Sequence, residues 1–160
     1  MSKHKVARLR LLFLLLIAVL CVACGFPRDP NNTLEQVRGG TLRVGAVENE
    51  PWVMREDDQA VGIEAELVKE LAQQLEAQIE WTWGTEQEML EKLQHFELDL
   101  VVGGLVESTP WRNHIALTNP YYQERVIAVP PGENGWLMRV EEFLQARRSS
   151  IRETVQEVQP

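Results

Sequence analysis

The sequence predicts one α/β domain in which helices flank a mostly parallel sheet. Short apolar stretches with strand character alternate along the chain with stretches whose apolar residues recur at helical spacing. A length of 160 residues allows one domain of ordinary size. Strands that alternate with helices form βαβ units, and these build parallel sheets covered by helices on both faces.

Residues 1–23 have the layout of a secretory signal peptide. Residues 1–10 are polar and cationic, residues 11–23 form an unbroken apolar run of 13, and the small Ala23 ends the segment. A helix needs about 20 apolar residues to cross a membrane, so we expect cleavage rather than a permanent span.

Cys24 is the predicted lipidation site. The stretch CVAC at residues 21–24 resembles the lipobox of bacterial lipoproteins, in which the second cysteine becomes the acylated N-terminus. Cys21 departs from the leucine usual at its position. Gly25 rather than aspartate follows Cys24, which favours the outer over the inner membrane. We therefore expect an exported protein, lipid-anchored on the periplasmic side of the cell envelope.

Residues 24–40 are predicted to be the lipidated cysteine and a flexible tether. They contain Pro27, Pro30 and the pair Gly39 and Gly40, which are typical of linkers. The tether would let the folded body, predicted over residues 41–146, stand off the membrane.

Four strands are predicted within that body. Alternating apolar residues or short apolar runs mark residues 41–47, 78–83, 98–102 and 124–129. The run at 98–102 is interrupted only by Asp99, a pattern typical of a strand buried on both faces.

Three helices are predicted from apolar residues at helical spacing, within 63–75, 89–93 and 136–144. Thr85 and Glu88 form a capping box at the start of the second helix. Residues 147–160 are predicted to be a charged C-terminal tail, in which Ile151, Val155 and Val158 keep a helical interval that allows a frayed helical extension.

Composition excludes several functions. Without its first 23 residues the chain carries 12 basic and 24 acidic residues, a charge that repels nucleic acid. An apolar fraction of 44% argues against disorder. The mature chain has only His95 and His114 as histidines, neither near a second ligand at metal-binding spacing. We predict no metal, no cofactor and no enzymatic activity.

The stretch TPWR at residues 109–112 is the strongest candidate for binding a ligand. Ligands of parallel sheets bind where the strands end, which indicates the loops at 48–53, 84–86 and 103–112. Thr109 suits a helix N-cap and Pro110 the first helical position. The amides of this short helix and Arg112 would attract a carboxylate or another anion. The alternative is that Arg112 pairs with a surface acid.

The order of several motifs resembles the bacterial extracellular solute-binding proteins of family 3, which serve amino-acid ABC importers. The motifs are TLRVG (41–45), EPW (50–52), VGIEAEL (61–67), LDLVVGG (98–104), TPWR (109–112) and LTNPYY (117–122). The resemblance implies a type 2 periplasmic-binding fold, whose two lobes close over a ligand. Only Gln123, Glu124 and Arg125 stand where relatives insert the second lobe, so we expect the first lobe alone.

The resemblance also implies a binding site for the carboxylate and amine of an amino acid. The matching positions are Trp52, Gly103, Gly104, Leu105, Ser108 and Arg112. Two departures weaken the match. The family commonly has hydroxyl side chains after the third strand, where this chain has glycines, Leu105 and Val106. Arg112 stands one residue later than the family's arginine in an ungapped count, so either compensating one-residue shifts bring Arg112 to that place or Trp111 takes it.

We interpret the chain as a non-enzymatic envelope lipoprotein resembling the substrate-binding component of an ABC transporter for amino acids or small polar solutes. An ABC permease is the implied partner. One lobe leaves half of a ligand in water, so we expect millimolar affinity or none.

Three alternatives remain open. The first is an interaction or sensor module that self-associates through a crevice face with Trp52, Leu105 and Trp111 exposed. The second is an enzyme, since the related lobe is fused to lytic transglycosylase domains in some envelope proteins, although no catalytic domain follows here. The third is a remnant that has lost its second lobe.

Overall fold

A computed structural model describes residues 29–57 and 59–158, which form one α/β lobe. The predicted signal peptide and Cys24 lie outside the described residues. The elements are α1 (Thr33–Val37), β1 (Thr41–Ala46), β2 (Met54–Glu56), β3 (Gln59–Val61), α2 (Ile63–Gln74), β4 (Gln78–Trp83), α3 (Glu86–Gln94), β5 (Leu100–Val102), a 3₁₀ helix (Pro110–Asn113), β6 (Ala116–Leu117), β7 (Ala128–Val129), α4 (Asn134–Ala146) and α5 (Arg148–Val158). No helix in this part of the chain is long and apolar enough to cross a membrane.

The main sheet has five strands in the order β4-β1-β5-β7-β6. β1 pairs in parallel with β4 and β5, whereas β7 runs antiparallel to both β5 and β6. Four strands therefore point one way and one returns, which confirms the predicted α/β fold with its mostly parallel sheet. β2 and β3 form a separate hairpin.

Apolar clusters cover both faces of the sheet, as the run at 98–102 predicts. Leu100 and Val102 belong to a cluster with α2, α4 and α5, whereas Val101 belongs to a cluster with α3. The predicted capping box is present, because Thr85 Oγ1 accepts from the amide of Glu88 and the Glu88 carboxylate accepts from the amide of Thr85.

The flexible-tether prediction is wrong for residues 29–40. Val37 on α1 is 1% exposed, and Asp29 Oδ1 accepts a hydrogen bond from the amide of Trp136, 3.0 Å away. Prolines and polar residues in this segment indicated a linker. The hydrogen-bonding partners of the segment lie at the start of α4, about a hundred residues away in the sequence, so the local pattern did not reveal them.

Residues 147–158 also pack on the lobe, which corrects the prediction of a charged tail. They contain α5, whose Ile151 and Val155 are buried in the cluster with α2 and α4. The charged residues of this segment cover the exposed face of the helix, and the helical interval of Ile151 and Val155 marks the face that is buried.

Replacing Val155 by alanine is expected to lower the free energy of unfolding by about 2 kcal/mol, through lost burial and a residual cavity. Val155 is 1% exposed and Val158, on the same helix, is 52% exposed. Val158→Ala is therefore the matched control, with an expected change below about 0.5 kcal/mol. Chemical denaturation measures both values, and equal effects would show that α5 is not packed as described.

Candidate functional site

Three loops meet at the edge of the sheet where β1, β4 and β5 end, as the sequence predicts. We call this edge, formed by residues 48–53, 84–86 and 103–112, the strand-end edge. Asn49 Nδ2 donates to the carbonyl of Gly103 at 2.8 Å. The Thr109 hydroxyl donates to Glu86 Oε1 at 3.4 Å. The loops are thus joined by side-chain contacts rather than merely adjacent.

Arg112 is an exposed cation at this edge. It lies on the 3₁₀ helix that begins after Thr109, where Thr109 Oγ1 accepts from the amide of Trp111 at 3.4 Å. The predicted N-cap and first-position proline are present, but the helix has only four residues and is 3₁₀ rather than α. Within residues 29–57 and 59–158 no hydrogen bond or ion pair holds the Arg112 guanidinium, so the surface-acid alternative finds no partner there.

Gly103 and Gly104 have backbone conformations that explain the missing hydroxyl side chains. Their φ angles are +151° and +65°. A Cβ on Gly103 would stand 2.6 Å from Val47 Cβ, and a Cβ on Gly104 would stand 2.5 Å from Trp52 Cδ1. The turn after β5 therefore has no room for side chains at these two positions.

Trp52 and Leu105 are buried, each 3% exposed. Their predicted exposure on a crevice face is therefore wrong. Trp52 packs against Tyr121 and Tyr122, with ring centroids 6.3 and 6.0 Å away. Leu105 belongs to the apolar cluster under α3. The apolar patch that suggested self-association is thus largely covered by this chain's own residues.

Ser108 and Trp111 complete the predicted site residues. Ser108 is exposed, whereas Trp111 is half-buried and contacts the His114 ring edge-on at 6.1 Å. Of the predicted ligand-binding residues, Ser108 and Arg112 are exposed at the strand-end edge. Trp52, Gly103, Gly104 and Leu105 form the packed base beneath it.

Glu64 is a buried carboxylate that sequence reasoning missed. It is 0% exposed, and its Oε2 accepts from the amides of Gly103 and Gly104 at 2.7 and 2.9 Å. Its Oε1 accepts from the Tyr121 hydroxyl. The available signal was an acid four residues before Val68 on the apolar stripe of α2, where a charged residue is out of place.

Burial is the dominant influence on this carboxyl and raises the pKa of Glu64. The hydrogen bonds from Tyr121 and the two glycine amides, and the nearby Arg125, oppose the rise only in part. Burial and the Glu64 charge likewise raise the pKa of Tyr121. Both oxygens of Glu64 have protein donors, so this carboxyl stabilises the turn rather than serving as an accessible acid or base.

Arg125 supports the same turn from the other side. Its guanidinium donates to the carbonyl of Gly104 and lies 4.9 Å from the centroid of the Trp52 ring. The amide of Arg125 donates to the carbonyl of Tyr122 at 2.8 Å, closing a tight turn. This turn stands where two-lobe relatives were expected to insert a second lobe, and it limits the predicted strand 124–129 to Ala128–Val129.

A cavity of about 600 Å³ lies elsewhere, between residues 119–121 and the facing parts of α4 and α5. Two pairs of its lining residues are joined by hydrogen bonds. Glu141 accepts from the amide and side chain of Asn119, and Arg148 donates to the carbonyl of Pro120. These contacts hold the end of β6 to α4 and α5, so we do not assign the solute site to this cavity.

The family model of the bacterial extracellular solute-binding proteins, family 3, matches residues 42–159. The match begins in β1 and extends past α5. It therefore includes the helix that composition alone suggested to be a tail.

Two curated relatives resemble parts of the chain. Membrane-bound lytic murein transglycosylase F of Vibrio cholerae is 30% identical over 102 residues, which are 62% of this chain and 19% of that protein. A probable histidine-binding protein of Campylobacter jejuni is 24% identical over 106 residues, 65% of this chain and 41% of that protein. The chain thus spans less than half the length of either relative.

Two solved structures share the fold. The arginine-bound form of domain 1 from TmArgBP has a TM-score of 0.63 and 21% identity, covering 70% of this chain and 97% of that one. The ancestral amino acid-binding protein AncCDT-1, a precursor of cyclohexadienyl dehydratase, has a TM-score of 0.67 and 16% identity, covering 76% and 98%. At these identities the likeness shows the fold.

Proposed function

This chain belongs to the bacterial extracellular solute-binding proteins, family 3, and we propose that it is a non-enzymatic envelope lipoprotein that binds an amino acid or another small carboxylate at its strand-end edge. The observation that carries this proposal is Arg112, an exposed cation with no protein partner among residues 29–57 and 59–158. A guanidinium presents forked donors that match a carboxylate.

The carboxylate of Glu86, near Arg112, matches the ammonium group of an amino acid. Glu86 Oε1 accepts from the Thr109 hydroxyl, and the Thr109 carbonyl accepts from the amide of Arg112. Opposite charges thus flank Thr109 without forming an ion pair with each other. An amino acid carries the complementary pair, a carboxylate and an ammonium group.

A rigid base is the second requirement of such a site. Glu64 and Arg125 fix the Gly103 and Gly104 turn from two sides, and Asn49 holds it to the loop after β1. A site that is already ordered loses less conformational entropy when a ligand binds. This raises the affinity for a ligand that makes few contacts.

A single lobe would limit affinity, because water at an uncovered strand-end edge would screen the charge contacts to a ligand. The arginine-bound form of domain 1 from TmArgBP supports the idea that one lobe of this fold can still hold an amino acid. We expect a Kd of about 1 mM, which corresponds to about −4 kcal/mol.

The proposed role of the protein is in solute transport. We propose that Cys24 carries the lipid anchor on the periplasmic side, with the outer membrane favoured by Gly25, and that an ABC permease receives the solute. The family description as extracellular solute-binding proteins supports an exported location. The relative named as a probable histidine-binding protein supports amino acids as the ligand class.

Calorimetry with arginine, histidine and glutamine tests the proposal on the soluble body from residue 26 onward. We expect millimolar binding of at least one of them, and Arg112→Ala should weaken it at least about tenfold through loss of a charge-assisted contact. Agmatine, which is arginine without its carboxylate, should bind no better to the unaltered protein than to Arg112→Ala.

Arg152→Ala is the matched control, since Arg152 is an exposed arginine on α5, far along the chain from the strand-end edge. It should leave the affinity unchanged. Micromolar binding by a monomer would contradict the expected weakness, and no binding of any amino acid at about 10 mM would contradict the solute-binding proposal itself.

A further inference from the structure

Two carboxylates join the N-terminal segment to the start of α4. Asp29 Oδ1 accepts from the amide of Trp136 at 3.0 Å, and Asp29 Oδ2 accepts from the amide of Leu34 at 3.0 Å. Glu133 accepts from the amides of Asn31 and Thr33 at 2.9 and 3.1 Å. We call these contacts of Asp29 and Glu133 the N-terminal clasp.

The clasp includes buried residues and is not only a surface contact. Glu133 is 1% exposed and Thr33 is 5% exposed. Burial acts to raise the pKa of Glu133, but the hydrogen bonds from Asn31 and Thr33 together outweigh it and leave the pKa lowered. An ionised carboxylate makes stronger hydrogen bonds to amides than a neutral group does.

The clasp lies at the edge of the sheet opposite the strand-end edge. The Trp136 indole, two residues after the start of α4, donates to the carbonyl of Asp99, directly before β5 begins. The amide of Gln78, the first residue of β4, donates to the carbonyl of Gly40, directly before β1 begins. We call this side the strand-start edge. The six residues of β1 separate the two edges by about 20 Å.

The clasp also shortens any connection to an anchor at Cys24. Only residues 25–28 separate Cys24 from Asp29, so even a fully extended chain spans about 18 Å between them. A tether that ran to residue 40 could extend about 55 Å and would allow the lobe any orientation.

We propose that, with Cys24 lipidated, the N-terminal clasp holds the strand-start edge against the lipid surface and directs the strand-end edge away from it. The inference rests on the lipid anchor of the proposed function. Its consequence is that the solute-binding edge faces the aqueous compartment, while the membrane surface is the partner of the opposite edge.

Resonance energy transfer from a dye on the protein to an acceptor lipid in the membrane measures this orientation. Glu48→Cys labels the strand-end edge and Glu97→Cys labels the strand-start edge; both glutamates are exposed, and both substitutions change the charge equally. The natural cysteines do not interfere, because Cys21 leaves with the signal and the Cys24 sulfur carries lipid. The full chain is purified in its lipidated form, labelled with a donor dye and reconstituted in phospholipid vesicles that contain an acceptor lipid.

Transfer from position 97 should exceed transfer from position 48 at least about threefold, given the distances above. A ten-residue Gly-Ser insertion between Arg28 and Asp29 leaves the clasp intact and should bring the two efficiencies close together. The double change Asp29→Ala and Glu133→Ala should do the same, provided that circular dichroism shows a folded protein.

Equal transfer from both positions in the lipidated, unaltered protein would overturn the orientation while leaving the anchor and the solute-binding proposal standing. The intact mass of the purified protein separates the two failures. A mass without acyl chains would overturn both the anchor and the orientation that depends on it.

Discussion

Replacing Glu64 by alanine is expected to lower the free energy of unfolding by about 3 to 5 kcal/mol, among the largest single effects in this protein. The change leaves the amides of Gly103 and Gly104 and the Tyr121 hydroxyl without their acceptor in a site that water does not reach. Each buried donor without a partner costs roughly 1 to 3 kcal/mol. Urea denaturation measures the change.

Glu64→Gln is the matched control. The glutamine Oε1 can accept from both glycine amides, and its Nε2 can donate to the Tyr121 oxygen, so only the Tyr121 O–H proton is left without its acceptor. We expect a loss of less than about half of that caused by alanine. Equal losses for both variants would show that the carboxyl network is not what stabilises this turn.

The same pair of proteins tests the raised pKa of Glu64. The native state holds the proton of this carboxyl more tightly than the unfolded state, whose pKa is near the ordinary 4.5. The stability it contributes is therefore full below that value and is lost as pH rises through the folded pKa. Relative to Glu64→Gln, which does not titrate, the unaltered protein should become less stable as the pH rises above the ordinary pKa of 4.5.

Gly104→Ala is expected to be comparably damaging, at about 3 kcal/mol or more. Alanine at φ +65° costs roughly 1 to 2 kcal/mol from the backbone alone. Its Cβ would also stand 2.5 Å from Trp52 Cδ1 and 2.7 Å from Asn49 Nδ2, so the loop after β1 must move.

Gly39→Ala separates the backbone cost of a positive φ from the cost of the steric clash. Gly39 has a similar φ of +69°, but nothing lies within 4 Å of where its Cβ would be. It should cost only the backbone share, about 1 to 2 kcal/mol. Thermal and urea unfolding of both variants give the comparison. If Gly104→Ala were no worse than Gly39→Ala, the close packing of Trp52 on the turn after β5 would be disproved.

Local patterns in the sequence were sufficient to predict the strands and helices. β4 occupies residues 78–83, as its alternation predicts, and the capping box of Thr85 and Glu88 is formed. The order of strands and helices indicated the α/β fold because each element buries its own apolar face. These features depend on residues that are close together in the chain.

The base of the candidate site depended on distant residues and was therefore missed. Glu64 has its partners 39, 40 and 57 positions away along the chain. Trp52 was assigned to a ligand because its position matched a motif, whereas Tyr121 and Tyr122 bury it. The folding of residues 29–40 and 147–158 onto the lobe likewise depends on α2 and α4; the helical interval of Ile151 and Val155 indicated a helix but not the surface on which it packs.

Native mass spectrometry most directly tests the central claim, that a single lobe binds a small solute through Arg112. The soluble body from residue 26 onward would be purified gently and measured at several concentrations, with arginine or histidine added. We expect a monomer carrying one amino-acid adduct, which disappears in Arg112→Ala and persists in Arg152→Ala. A dimer without ligand, or a monomer that never carries an adduct, would contradict this account and favour an interaction module or a remnant.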